Sequence, residues 1–267
     1  MNLIIAIKKL TSDINQLSIN RSERFKSVKP GAWIQFKSGT ANNFFYAVID
    51  EIRNETVRFI MPRGSMPASL AVGDRIEALS VFQNPHLPTL GNQHVLCVAK
   101  GDGALVMFPL VKDLLRNGCT VTLLLSDGHE ALFTTDAFRK SNSFKLIAIE
   151  SASFFNHSLS SPFYNYILQE QPAMLYATGS ADLTIDALKA LTGGNEVSSS
   201  VLCNALWNSQ NAIRGLFLVN MHSKSKFIMV EGNDFSAVYQ NEEQFIGRFG
   251  KTASANSSKT SMKARMH

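Results

Sequence analysis

The chain has 267 residues, of which 45% are hydrophobic and 18% charged, with a formal net charge of +5. This is globular composition with enough apolar material for one large domain or two ordinary ones, and it excludes a disordered or fibrous chain. The positive excess is spread out, and four of its members, Lys251, Lys259, Lys263 and Arg265, sit in a Ser/Thr/Ala/Asn-rich tail rather than on a basic, aromatic face of the kind that binds nucleic acid.

No apolar run approaches the length that crosses a bilayer. Leu3–Ile7 is too short for a signal-peptide core, and Lys8-Lys9 follow it rather than precede it, so the expectation is a cytoplasmic protein. Cys97, Cys119 and Cys203 are odd in number and far apart, with no disulfide framework and no paired metal ligands. Cys97 and Cys119 lie in apolar runs and read as small core residues.

Residues 1–90 are β-rich. Leu3–Ile7 reads as a first strand. Val28–Gly31 is a turn before the strand Ala32–Lys37, which carries Trp33 and Phe36. Phe44–Ile49 and Val57–Met61 are further strands. Pro62–Pro67 is a loop, and Leu70–Asp74 turns into the strand Arg75–Val81. Short strands between Gly, Pro and Asn turns predict a small barrel or sandwich. Residues 82–93, with Pro85, Pro88 and Gly91, have no periodicity and read as an inter-domain link.

From residue 94 strand and helix alternate. Val95–Ala99 is a buried strand and Lys100–Gly103 a turn with two glycines. Leu105–Leu115 is a helix stopped by Asn117-Gly118, and Val121–Leu125 a second strand closed by Ser126-Asp127-Gly128. Such a βαβ unit requires a parallel sheet with a right-handed crossover. The pattern continues with a helix over Glu130–Arg139, a strand over Phe144–Glu150 and a helix over Phe163–Gln169. A strand over Ala173–Ala177 follows, ending in Thr178-Gly179-Ser180, then a helix over Ala181–Leu191. This is a doubly wound α/β domain, on which ligands sit beyond the C-terminal strand ends, at Gly101–Ala104 and Ser126–Gly128. Residues 197–240 break the pattern, with a hairpin of Gly215–Asn220 and Lys226–Glu231. The tail after about residue 250 reads as disordered.

A barrel, then an α/β domain, then a small C-terminal module resembles the ferredoxin reductase-like family, and within it the electron-transfer subunit of dihydroorotate dehydrogenase. Lys29–Ile34 is similar to that family's barrel phrase, Val72–Glu77 to its phrase before the domain crossing, and Gly101–Leu110 to its glycine turn. Tyr176–Ser180 is similar to its second nucleotide-side turn, and Val197–Cys203 with Val230–Phe235 to its iron–sulphur module. The resemblance implies a flavin-type barrel over 1–90, a nucleotide-type domain over 94–195, a remnant iron–sulphur-type module over 196–245 and a tail over 250–267. It further implies electron flow from NAD(P)H through FAD to a protein acceptor or catalytic subunit.

On the flavin side, the family's Arg-Pro-x-Ser phrase falls on Phe44-Phe45-Tyr46-Ala47, which lacks both the cation and the hydroxyl. Tyr46 could stack on a flavin ring or serve as a core aromatic. Arg63, Gly64 and Ser65 fall on a phosphate-side loop and offer a cation, a flexible backbone and a hydroxyl, either as an anion nest or as an ordinary turn. On the nucleotide side, Gly101 and Gly103 remain, with Asp102 placing a negative charge where a pyrophosphate would sit; the other reading is a tight strand–helix turn. Gly179 and Ser180 would hold ribose or phosphate, or Ser180 would cap a helix. At the cluster, Cys203 matches the first ligand, while the other positions fall on Asn208, Asn211 and near Met229. One thiolate of four does not hold a [2Fe–2S] cluster, which leaves Cys203 either a lone relic of a cluster ligand or a buried thiol.

His94, His129 and His157 have no metal-ligand spacing, and there is neither a nucleophile elbow nor a phosphate-binding Walker loop. Two readings stand. One is a flavin-dependent, NAD(P)H-linked electron-transfer oxidoreductase without an intact cluster. The other is a non-catalytic scaffold of the same fold that binds a partner protein.

Overall fold

The computed structural model describes residues 1–39, 43–82, 91–126, 128–149, 169–170 and 172–178, with further strands at 206–207, 213–218, 227–231 and 234–239. The described residues fall into two compact units. Met1–Asn92, Asp102–Val121 and Gly128–Leu146 make up the first, and the remaining described residues the second.

Six strands close an antiparallel barrel: β1 (Asn2–Lys9), β2 (Ile14–Asn20), β3 (Trp33–Ser38), β4 (Asn43–Ile52), β5 (Thr56–Pro62) and β6 (Arg75–Phe82), in the order β1-β2-β5-β4-β3-β6. Closure leaves no unpaired edge. Alternate residues point inward, so Ile34 and Phe36 of β3, Phe45, Ala47 and Ile49 of β4, and Val57 and Phe59 of β5 share one core. Its centre is aromatic: Phe36 stands edge-on to Phe59 at 5.1 Å and stacks with Phe45 at 5.2 Å.

The expected strands are all present, and β2 is an addition to them. Its buried residues Asn15, Leu17 and Ile19 keep the period of two, Leu17 and Ile19 in the barrel core, but the first is polar and its neighbour Ile14 is buried as well. The turn at Leu70–Asp74 locks onto β1: the Gly73 N–H donates to the Ile4 carbonyl at 2.9 Å, and the Ile4 N–H donates to the Asp74 carbonyl at 2.9 Å. Gly73 has φ +96°, a left-handed conformation that a side chain would strain.

The second architecture is a parallel sheet with helices. Its strands are β7 (His94–Lys100), β8 (Thr120–Ser126), β9 (Phe144–Ala148) and β10 (Met174–Thr178), in the order β10-β7-β8-β9. β10 pairs with β7 in parallel from Met174↔Val95 to Thr178↔Ala99. Helix α1 (Gly103–Arg116) follows β7, as the βαβ pattern requires, and is buried without a break from Gly103 to Val111. Pro109 lies inside it and cannot donate to the Leu105 carbonyl one turn back. Cys97 and Cys119 are buried and not disulfide-bonded.

The helix expected over Glu130–Arg139 is two short ones, α2 (Glu130–Phe133) and α3 (Asp136–Arg139). They part where Thr135 turns extended and the Thr134 hydroxyl bonds back to the Ala131 carbonyl at 3.3 Å. Phe108 of α1, Phe133 of α2, Phe138 of α3 and Phe144 of β9 pack as one aromatic cluster, the closest pair, Phe138 and Phe144, at 4.9 Å.

A third sheet, antiparallel, holds β11 (Leu206–Trp207), β12 (Ile213–Leu218), β13 (Phe227–Glu231) and β14 (Asp234–Tyr239) in sequential order. The β12–β13 pairing, Leu218↔Phe227 to Arg214↔Glu231, falls where the sequence places a hairpin. The expected helices over Phe163–Gln169 and Ala181–Leu191 and the tail lie largely or wholly outside the described residues. Among the described residues, no helix is long and apolar enough to cross a membrane.

Candidate functional site

The outward face of β4 is the place where the family resemblance puts a flavin. With Phe45, Ala47 and Ile49 turned into the barrel, Phe44, Tyr46, Val48 and Asp50 face out. Tyr46 is nonetheless only 5% exposed and Val48 is fully buried. The Tyr46 hydroxyl accepts a hydrogen bond from Gln35 Nε2 at 2.8 Å, its neighbour across the β3–β4 ladder, and burial pushes its phenol pKa up. Helix α1 packs on β4, and Lys112 Nζ donates to Asp50 Oδ1 at 2.6 Å while lying 4.8 Å from the centre of the Phe108 ring. Gln16 Nε2 reaches the other Asp50 oxygen at 3.4 Å.

This face does not fit a flavin as the resemblance arranges one. Phe44 stands at the cation position, Ala47 at the hydroxyl position points into the barrel core, and the Tyr46 ring is covered. The nearby cation, Lys112, is neutralised by Asp50. The iron–sulphur site does not fit either: the chain has three cysteines, two of which, Cys97 and Cys119, are buried in the α/β region. Among the described residues, no group of three or more His, Cys, Asp or Glu could hold a metal ion.

The phosphate-side residues are placed differently. Arg63, Gly64 and Ser65 form a single 3-10 turn at the end of β5, with Arg63 and Gly64 exposed. The Arg63 N–H donates to the Asp13 carbonyl at 2.7 Å, which fixes the loop against the β1–β2 hairpin. In that hairpin, the Asp13 carboxylate accepts from the Thr11 hydroxyl at 2.7 Å and the Ser12 hydroxyl at 3.3 Å on one oxygen. Its other oxygen faces His129 Nδ1 at 2.8 Å, and His129 Nε2 faces Asp102 Oδ1 at 3.0 Å. Hydrogen bonds thus link the Arg63 loop to the turn before α1 through Asp13 and His129. The resemblance assigns the loop to flavin and the turn to nucleotide.

Gly101 has φ +54°, with nothing within 4 Å of where a Cβ would stand, and Gly103 is buried as the first residue of α1. Asp102 precedes the helix, but its carboxylate makes no capping bond to the helix amides. It is turned to His129 instead, so the charge expected to block a phosphate is drawn aside and paired. Hydrogen bonding to Asp102 outweighs burial and raises the His129 pKa above the ordinary imidazole value, with both carboxylate charges adding to the effect. Burial pushes the Asp13 carboxyl up, but the Thr11 hydroxyl and His129 together hold it below the ordinary carboxylate value.

Beside Gly101, whose N–H donates to the Ser126 carbonyl at 3.0 Å, the buried Ser126 hydroxyl has no hydrogen-bond partner among the described residues. Thr178 is fully buried at the end of β10, and Gly179, Ser180 and Cys203 lie outside the described residues. Asp13 and His129 are the site residues that sequence reading missed. They stand 116 positions apart, and neither belongs to a motif.

No family model matches this sequence, and no curated protein does. Solved structures do match it. The NADH-dependent reduced ferredoxin–NADP oxidoreductase studied for flavin-based electron bifurcation is 18% identical, with a TM-score of 0.56 over 78% of this chain and 78% of that one. Phthalate dioxygenase reductase, described as a modular structure for electron transfer from pyridine nucleotides to [2Fe–2S], is 12% identical, with a TM-score of 0.56 over 94% of this chain and 79% of that one. The CS-b5R domains of human Ncb5or in the NAD+ form are 11% identical, with a TM-score of 0.55 over 75% and 68%. A six-stranded antiparallel barrel followed by a parallel sheet with helices is the architecture that these proteins share with the chain, which therefore has the ferredoxin reductase-like fold.

Proposed function

We infer that this chain is an electron-transfer oxidoreductase-like protein whose retained site is the nucleotide side. It takes the phosphates of a nicotinamide dinucleotide at the turn before α1, with Arg63 and Ser65 on the adjoining barrel loop, and serves a partner protein that is an electron acceptor or a catalytic subunit. The sequence phrases favour the electron-transfer subunit of dihydroorotate dehydrogenase as the model for that partnership. The buried thiols Cys97 and Cys119, neither of them in a disulfide, accord with a cytoplasmic setting.

The observation that carries this reading is the position of Asp102, whose carboxylate is held by His129 and does not cap α1. A carboxylate bound to the helix amides would compete with a phosphate for the same donors. The finer reading, electrons passing from the nucleotide through FAD held by this chain, needs a flavin face that the covered side of β4 does not offer. No step is assigned to flavin for that reason.

A second reading, a non-catalytic scaffold, is favoured by a specific observation: the outward face of β4 is filled by the chain's own side chains and braced by the Asp50–Lys112 pair. An absorption spectrum of the purified protein, followed by NADH titration read by nucleotide fluorescence, separates the readings. A colourless protein that binds NADH supports the nucleotide-side function. Flavin bands restore the full relay, and a colourless protein that binds neither FAD nor NADH leaves the scaffold.

A further inference from the structure

The Asp13–His129–Asp102 bridge joins parts of the chain that share no motif. His129 sits in the left-handed region at φ +65°, directly after Gly128 at φ +107°. Non-glycine residues adopt this conformation uncommonly, with His among those that do so more readily. The ring lies between two carboxylates, one from the barrel hairpin and one from the turn before α1. Both ring nitrogens face a carboxylate oxygen, at 2.8 and 3.0 Å. A carboxylate only accepts, so both nitrogens must donate, and only the doubly protonated imidazolium can do that. The side chain of His129 is 12% exposed, against 49% for Asp13 and 40% for Asp102, so the ring is the enclosed member. Among the described residues, the charges acting on it are Asp102 and Asp13.

We propose that Asp13, His129 and Asp102 form a proton-operated latch between the barrel hairpin and the turn before α1, closed when the imidazole carries both protons and open when it gives one to solvent. On opening, the arm that parts is the one to Asp102. Asp13 is fixed in its hairpin by the Thr11 and Ser12 hydroxyls, and its bond to the ring is the shorter of the two. Asp102 has no other side-chain partner among the described residues, and once released its negative charge stands unpaired beside the first amides of α1. This consequence rests on the nucleotide-side reading: affinity for NADH falls as pH rises through the imidazole's midpoint.

The direction of the stability effect follows from linkage. The raised imidazole pKa contributes stability that is complete below the ordinary value of 6.5 and is lost as pH rises through the folded value. The depressed Asp13 pKa contributes stability present above 3.8 and lost as pH falls through its folded value. The latch is therefore strongest between these limits.

The test is NMR titration of the His129 ring in the full chain without nucleotide, in the native protein and in Asp102→Asn and Asp13→Asn, with hydrogen exchange of the amides at 101–105 measured across the same pH range. The expected result is a native midpoint above the ordinary value that falls in both variants. Exchange at 101–105 should quicken as pH passes the native midpoint by more than the intrinsic rise with pH, and that extra step should be absent in Asp102→Asn. A native midpoint at the ordinary value, or one unmoved by Asp102→Asn, overturns the latch. NADH titrations at pH values on either side of the midpoint test the linked function. A latch that titrates as expected in a protein that never binds NADH upholds the latch and removes the nucleotide-side function instead.

Discussion

Replacing Lys112 by methionine tests whether the Asp50–Lys112 pair braces α1 on the barrel. The Asp50 side chain is 4% exposed and that of Lys112 22%, with 2.6 Å between Oδ1 and Nζ. Removing one partner of a fully buried pair costs about 3–5 kcal/mol, because the other charge is left without compensation. Water reaches the Lys112 end, so about 2–3 kcal/mol is expected for Lys112→Met, whose stem preserves packing on Phe108. Among the described residues, the Asp50 carboxylate would keep only the 3.4 Å contact from Gln16. The double variant Asp50→Asn/Lys112→Met has no stranded charge and should recover at least about half of that loss; the coupling, which is this recovery plus the loss measured for Asp50→Asn alone, should be at least about 1 kcal/mol. Urea unfolding followed by tryptophan emission suits the measurement. Trp33 is 1% exposed on β3, paired with Val48 of β4, so it reports on this wall of the barrel. A loss below about 0.5 kcal/mol in Lys112→Met, or strict additivity in the double variant, would show that the pair is screened and that α1 is held by apolar packing alone.

Other consequences can be measured on the same preparations. Phe59→Ala empties the centre of the barrel core and should cost about 3–5 kcal/mol in the same unfolding assay; a loss under about 1 kcal/mol would mean that the core repacks. Gly101→Ala meets no atom within 4 Å but must adopt φ +54°, so it should cost about 1–2 kcal/mol from backbone strain alone. Full retention of stability would mean that the turn relaxes to negative φ. Arg63→Ala, at an exposed position, should change stability by less than about 0.5 kcal/mol and weaken NADH binding by about 1.5–3 kcal/mol, the scale of a charged hydrogen bond. Equal NADH titrations of native protein and variant would remove Arg63 from the site.

The barrel was legible wherever inward residues alternate strictly. β3 and β4 carry Ile34, Phe36, Phe45, Ala47 and Ile49 at period two, and both were read from pattern. β2 is not, because its alternating buried set Asn15, Leu17 and Ile19 opens on a polar residue and the neighbouring Ile14 is buried too, which blurs the alternation. Helix α1 was legible from its glycine turn and its stop at Asn117-Gly118. The break between α2 and α3 was not, since it depends on a Thr134 hydroxyl competing for a backbone carbonyl. Such side-chain-to-backbone choices are set by the surrounding packing rather than by local preference.

At the site, the glycines and Arg63–Ser65 could be found because each belongs to a phrase, whereas the groups that connect them could not. Asp13 reads as a turn residue and His129 as an isolated imidazole, and nothing in either neighbourhood points across the chain to the other. Their meeting requires the fold, since closing the barrel places the β1–β2 hairpin against the Arg63 loop. Asp102 makes the same point in reverse. By sequence it is a charge in the wrong place for a phosphate, and that inference is sound so long as the carboxylate stays at the helix end. His129 draws it away. A residue that argues against a ligand in isolation can argue for one when its charge is already engaged, and here the engagement depends on one proton. Whether this turn accepts an anion is therefore a question about the protonation of His129 as much as about the glycines beside it.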